Sequence, residues 1–189
     1  MIKKIGQVLL PVLVVILITD WVIGVKQVNS ESYVPVKYIE LNEPYYYGDV
    51  CFTAKKLNLY SAEEFAEVFG VDLSQSPYGG DMTIVTEFTV KNESGTEVDL
   101  SYMIGDVGWG FESHTWHSST DPFQCAAINR YDSATVQNGE EIRFYAVTSI
   151  NKMSFSDEGW ENLYNTEFYY TISIYPEPVK FKLGTPEKR

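Results

Sequence analysis

The sequence predicts an antiparallel β-sandwich behind one N-terminal apolar helix. Three observations lead there. Residues 5–25 (IGQVLLPVLVVILITDWVIGV) carry no charge before Asp20. Roughly seven to nine short alternating segments follow, with turn signals about 8–12 residues apart. Only residues 61–69 have the spacing and caps of a soluble helix.

As a helix, the first run would extend about 31 Å at 1.5 Å per residue, close to the hydrocarbon thickness of a bilayer. Lys3 and Lys4 precede it, and basic residues stay on the cytoplasmic side. The expected order is therefore residues 1–4 inside, 5–25 as a transmembrane anchor, 26–32 as a linker and 33–184 as an extracellular domain, with 185–189 as a tail. An acid at mid-membrane costs roughly 2.5–3.5 kcal/mol, but Asp20 lies near the outer end beside Trp21, where both can sit among headgroups. A cleaved signal peptide is the rival, with residues 8–19 as its apolar region and cleavage near Val22-Ile23-Gly24. The apolar run continues past Asp20, which favours the uncleaved anchor. Either way the rest is exported: single-pass on the cell membrane if anchored, secreted if cleaved. No lipobox is present, because the first cysteine is Cys51.

The net charge is −12, and −13 once Lys3, Lys4 and Asp20 are set aside with the anchor. Such a surface repels nucleic acid and anionic headgroups and suits a solvated extracellular domain. Fourteen Tyr, 10 Phe and 4 Trp need burial, so this is a folded domain and not a disordered stalk. In an oxidising compartment Cys51 and Cys125 could form one disulfide, worth roughly 4 kcal/mol across so long a loop. Both fall in expected strands; two buried free thiols are the alternative.

Along the chain, YVPVKYIEL (33–41) reads as an edge strand or lead-in because of Pro35. Residues 43–48 read as a turn holding Tyr45, Tyr46 and Tyr47. Residues 49–60 form a long strand whose alternation breaks at Ala54-Lys55, which predicts a bulge. Ser61 and Glu64 make a capping box, Phe65, Val68 and Phe69 an apolar stripe, and Gly70 a stop, so a helix is expected to cap one end of the sandwich. Residues 71–80 are loop. DMTIVTEFTVKN (81–92) is the cleanest strand, followed by a turn and a partner strand through Val98, Leu100, Tyr102 and Ile104. Short strands are expected at 111–116 and within 122–131. Asn138-Gly139 is a tight turn before the strand 140–150, and 151–165 is an irregular crossover. The strands 166–175 and 179–183 close the domain.

The segments TIVTEFTVKNES and VQNGEEIRFYAV, with the closing strand pair, resemble the exported immunoglobulin-like domains of Gram-positive bacteria, described as telokin-like or immunoprotective extracellular domains. The resemblance covers roughly residues 81–183. It implies an immunoglobulin-like sandwich outside the membrane and transfers no site. This chain departs from that group in its 61–69 helix and its missing lipobox cysteine.

Candidate sites are few. Both histidines, His114 and His117, sit close to Glu112 and Asp121. If the segment loops back, the four could gather round Zn²⁺ and support a metal-dependent enzyme, though the spacing matches no recognised ligand pattern. The bland alternative is a pair of surface histidines flanking a packed Trp116. No G-x-S-x-G is present and no Cys–His motif surrounds either cysteine, so no catalytic residue is assigned and a non-enzyme is expected. No calcium loop or other cofactor motif is found. Paired acids such as Glu63-Glu64 are solvated faces. Rings in or near expected loops (Tyr45–Tyr47, with Tyr46 foremost, Tyr78, Trp109, Trp116 and Trp160) could bind a surface protein or stack on cell-wall glycan, or else plug the ends of the sandwich. Asn92-Glu93-Ser94 matches a glycosylation sequon but reads as a turn. The expectation is a non-enzymatic binding or accessory module at the cell surface, with a carbohydrate-binding module using exposed Trp and Tyr as the alternative.

Overall fold

A computed structural model of the protein describes residues 2–31, 34–73, 79–100, 109–129 and 135–187. It divides into two units, residues 1–35 and 36–189. The first is one helix, α1 (Ile2–Glu31), 30 residues long. From Val14 to Val28 its apolar side chains, Trp21 among them, are exposed. Among the described residues no helix is long and apolar enough to cross a membrane, the described side chains of α1 running only from Val14 to Asn29.

The second unit is a β-sandwich. One sheet has the strand order β2-β3-β4-β9, from Pro44–Tyr47 (β2), Val50–Tyr60 (β3), Met82–Asn92 (β4) and Glu141–Ile150 (β9). The other has the order β1-β11-β10-β6-β7, from Lys37–Ile39 (β1), Gly110–Glu112 (β6), His117–Ser119 (β7), Phe168–Ser173 (β10) and Val179–Gly184 (β11). Val98–Asp99 (β5) and Thr135–Val136 (β8) make a small third sheet. Among the described residues there are eleven strands, against the expected seven to nine. Among the described strands, β1 departs from an antiparallel scheme by running parallel to β11. Parallel neighbours need a long connection, and here nearly the whole unit supplies it. The predicted bulge lies between Ala54 and Lys56.

The two sheets meet through aromatic side chains. Phe88 of β4 packs against Phe181 of β11 at 5.4 Å and Tyr170 of β10 at 5.2 Å between ring centroids. Phe52, Phe111 and Trp109 complete this layer. Burying each large ring contributes roughly 1.5–3 kcal/mol, so alternate residues of these strands are committed to the interior.

The helix α2 (Ala62–Phe69) has the predicted capping box, with Ser61 Oγ accepting from Glu64 N at 3.2 Å and the Glu64 carboxylate from Ser61 N at 2.8 Å. Gly70 closes it at φ +70°. It does not cap an end of the sandwich. Phe65 and Phe69 pack on Tyr60 of β3, and Phe69 on Tyr145 of β9, which places α2 over the outer face of the four-stranded sheet. A further helix, α3 (Pro122–Asn129), stands where a strand was expected and lies along β9. Val85 and Val147, both on that outer face, are fully buried as a result. The end-plugging role falls to the crossover, which contains a short helix, α4 (Asp157–Glu161). Its Phe155 and Trp160 stack with each other, and Phe155 stacks on Trp116.

Candidate functional site

The helices α2 and α3 cover part of the outer face of the four-stranded sheet, leaving the side chains of Lys91 and Arg143 exposed on it; the outer face of the five-stranded sheet is open among the described residues. Strand pairing sets its contents. One cross-strand row runs Tyr38, Lys180, Thr171, Gly110, Ser119, and the next runs Lys182, Tyr169, Glu112, His117. The alternate residues Ile39, Phe181, Tyr170 and Phe111 point into the core and fix which set faces out.

The rows are tied together. Tyr38 and Tyr169 form a tilted pair 5.7 Å apart, and the Lys182 ammonium lies 5.5 Å from the centre of the Tyr38 ring. Lys182 also pairs with Glu40, and Lys180 with Glu112. Thr171 Oγ1 donates to Glu112 at 3.2 Å, and the Tyr169 hydroxyl donates to Glu167 at 3.3 Å. The bond to Glu40 raises the Lys182 pKa, holding it protonated. Burial, and then the Glu167 carboxylate, raise the Tyr169 phenol.

Three depressions join across this face. The largest, about 490 Å³, lies among Tyr38, Glu112, Ser113, His114, Glu167 and Tyr169. A second of about 230 Å³ shares Glu112 and extends to Gly110, His117, Ser119 and Ile174. A third of about 230 Å³ shares Glu167 and Tyr169 and extends to Glu40, Lys182 and Gly184. Together they make a shallow groove crossing the strands.

The residues singled out in the sequence are only partly gathered here. His114 lies in the β6–β7 turn, and His117 is paired with Glu112 across the hairpin. The metal arrangement does not form. Glu112 is committed to Lys180 and Thr171, and Asp121 Oδ1 accepts from Phe123 N and Gln124 N to cap α3. Among the described residues no group of three or more His, Cys, Asp or Glu could hold a metal. Trp109 is only 4 % exposed, packed edge-on against Phe52 and Tyr47, and so cannot stack on a ligand. Trp116 is half-buried against Phe155 and Phe168. Tyr46 is 52 % exposed, but on β2 of the other sheet, where its hydroxyl donates to Glu93. Tyr78 and the expected strand continuation through Tyr102 and Ile104 lie outside the described residues.

The expected disulfide is corrected: Cys51 and Cys125 are both free and buried. Cys51 sits level with Lys91 and so with Glu141 of β9, whereas Cys125 lies against the Val147 carbonyl, six positions further along. At about 3.4 Å per residue that is roughly 20 Å, far beyond the 7 Å a bridge can span. Burial pushes the Cys125 thiol up to about 12, which makes it inert. The sequon is likewise structural. Asn92 is fully buried and donates to the carbonyls of Thr96 and Val136 at 2.7 and 2.8 Å, joining the turns after β4 and before β9.

Sequence reasoning missed Tyr38, Tyr169, Lys180 and Lys182. The available signal was the polar half of two alternating strands, FYYTIS and VKFKLG.

The fold and site define a β-sandwich with the outer face of one sheet partly covered by helices and that of the other open among the described residues. No family model and no curated protein matches the chain. Among solved structures it is similar to an uncharacterized beta-sandwich protein from Clostridium difficile 630, with 11% identity, a TM-score of 0.47 and coverage of 80% of this chain and 96% of that one. It is also similar to a conserved hypothetical protein from Bacillus anthracis, with 17% identity, a TM-score of 0.42 and coverage of 70% and 87%. The YjhA protein from Bacillus subtilis is a third, at 11% identity and a TM-score of 0.37, covering 76% and 99%.

Proposed function

We propose that the chain is a non-enzymatic binding module held at the outer surface of a cell membrane. The observation that carries the binding role is the open face of the five-stranded sheet, where Tyr38, Tyr169, Glu112 and the Lys182–Glu40 pair line a groove across the strands. This face takes the place of Trp109, which is packed inside, and of Trp116, which is half-buried against Phe155 and Phe168.

Anchoring rests on residues 5–25, an apolar run preceded by Lys3 and Lys4, within the continuous helix α1. In that arrangement the N-terminus stays inside and the sandwich outside, as the likeness to exported immunoglobulin-like domains also implies. The anchor raises the concentration of the groove near surface partners.

Protease shaving of intact cells, with mass determination of the fragments, tests the placement. Digestion beyond about residue 26 while the N-terminal piece stays in the membrane supports the anchor. A product in the medium that begins near Val25 means a secreted module. An intact chain that resists shaving and sediments with cytosol removes the proposal.

A further inference from the structure

Resting on the binding face just described, we infer that its ligand is a neutral polysaccharide strand, recognised by the Tyr38–Tyr169 pair. Charge argues for an uncharged ligand. Each lysine of the face is already matched within it, Lys180 by Glu112 and Lys182 by Glu40. Glu167 adds one further carboxylate, in a chain of net charge −12. An anionic glycan would meet an acidic surface with no spare cation among these groups, and a basic peptide would have to displace ion pairs already made.

Shape and chemistry argue for sugar. The groove crosses five strands, about 19 Å at roughly 4.8 Å per strand gap, which suits an extended chain of several rings. Tyr38, 47 % exposed with Lys182 over its ring, and half-buried Tyr169 together offer an aromatic surface on which the apolar side of a sugar can stack. Around them Glu167, His114, His117 and Ser119 supply donors and acceptors for hydroxyl groups. A purely apolar partner would leave those groups unpaired.

The test uses the full chain in detergent micelles, applied to insoluble neutral glucan, mannan and xylan, and to polygalacturonate as the anionic control. Retention on at least one neutral polymer is expected, about tenfold weaker in Tyr169→Ala and Tyr38→Ala. Tyr46→Ala, on the other sheet, should bind like the parent. Circular dichroism and melting of each variant separate lost binding from lost folding. Absence of retention on every neutral polymer, preference for polygalacturonate, or equal loss in Tyr46→Ala overturns the inference. If the neutral polymers fail while Tyr38 and Tyr169 are still shielded on intact cells, the glycan is wrong and the binding face stands. A basic peptide that competes for the same tyrosines would then be the occupant.

Discussion

The side-chain amide of Asn129 pairs with the backbone of Tyr145 as a neighbouring strand would: Tyr145 N–H donates to Oδ1 at 2.8 Å, and Nδ2 donates to the Tyr145 carbonyl at 2.7 Å. β9 is the edge of its sheet, and unpaired edges invite other chains. Asp121 N adds a bond to the Val147 carbonyl at 2.8 Å, so α3 closes this edge along two alternate residues. Asn129→Ala should therefore destabilise the unit by about 2–4 kcal/mol in urea titrations, because two part-buried backbone groups lose their partner. It should also produce concentration-dependent association in light scattering. An unchanged urea midpoint would contradict the edge-covering role.

Asn92 is the corresponding staple at the opposite end of β9, with Asn92 N accepted by the Glu140 carbonyl and Gly139 N donating to the Asn92 carbonyl. Asn92→Asp loses two amide donors and buries a charge, so a loss of about 3 kcal/mol or more is expected by chemical denaturation. Expressed in a glycosylating host, the parent chain should show no added sugar mass at Asn92, since the side chain is enclosed.

Gly110 is required by close approach. A Cβ there would lie 2.4 Å from the Ser118 carbonyl oxygen, a backbone atom of the adjoining strand that cannot step aside. Gly110→Ala should part β6 from β7 and lower stability by roughly 1–3 kcal/mol. The same change should weaken ligand binding at the face, read as loss of retention on the bound polymer. Wild-type stability in this variant would mean that the hairpin is looser than described.

Much of this architecture was legible in the chain, and the failures have physical causes. The α2 helix announces itself through a capping box and a stop glycine, both local chemistry. β4 and β11 announce themselves through alternation, and Asn138-Gly139 through turn geometry. α3 was missed because Phe123, Cys125 and Ile128 give no helical stripe, although Asp121 before Pro122 is a start signal: a cap followed by a residue that needs no N–H. β2 reads as a turn in the sequence because Pro44 opens it and Gly48 follows it, yet an edge strand tolerates such punctuation. The site was illegible for a different reason. Tyr169 and Lys182 share the β10–β11 hairpin, but Tyr38 and Glu112 come from strands far from it in the chain, and only the strand order brings all four into two rows.

Alkaline pH should unfold the sandwich progressively. Burial pushes the Cys125 thiol to about 12 from an ordinary value of 9.0 and raises the Tyr170 phenol above its ordinary 10.0. In both cases the folded chain keeps a proton that the unfolded chain releases. Stability is thus fully present below pH 9 and falls as pH rises through 9 and then 10, by about 1.4 kcal/mol per pH unit for each group in its window. Urea titrations at pH 8, 9.5 and 10.5 check this, and Cys125→Ala should flatten the first part of the slope. Alkylation after denaturation, without reductant, should label both cysteines.

Hydroxyl-radical labelling of intact cells, compared with the purified chain, tests the exposed and occupied face most directly. Outside the membrane and with its groove filled, the module should show Tyr46 labelled equally in both samples, and Tyr38 and Tyr169 several-fold less on cells. Equal labelling of all three tyrosines would mean a bare face with no ligand, and absence of labelling until the cells are broken would mean that the sandwich is not outside.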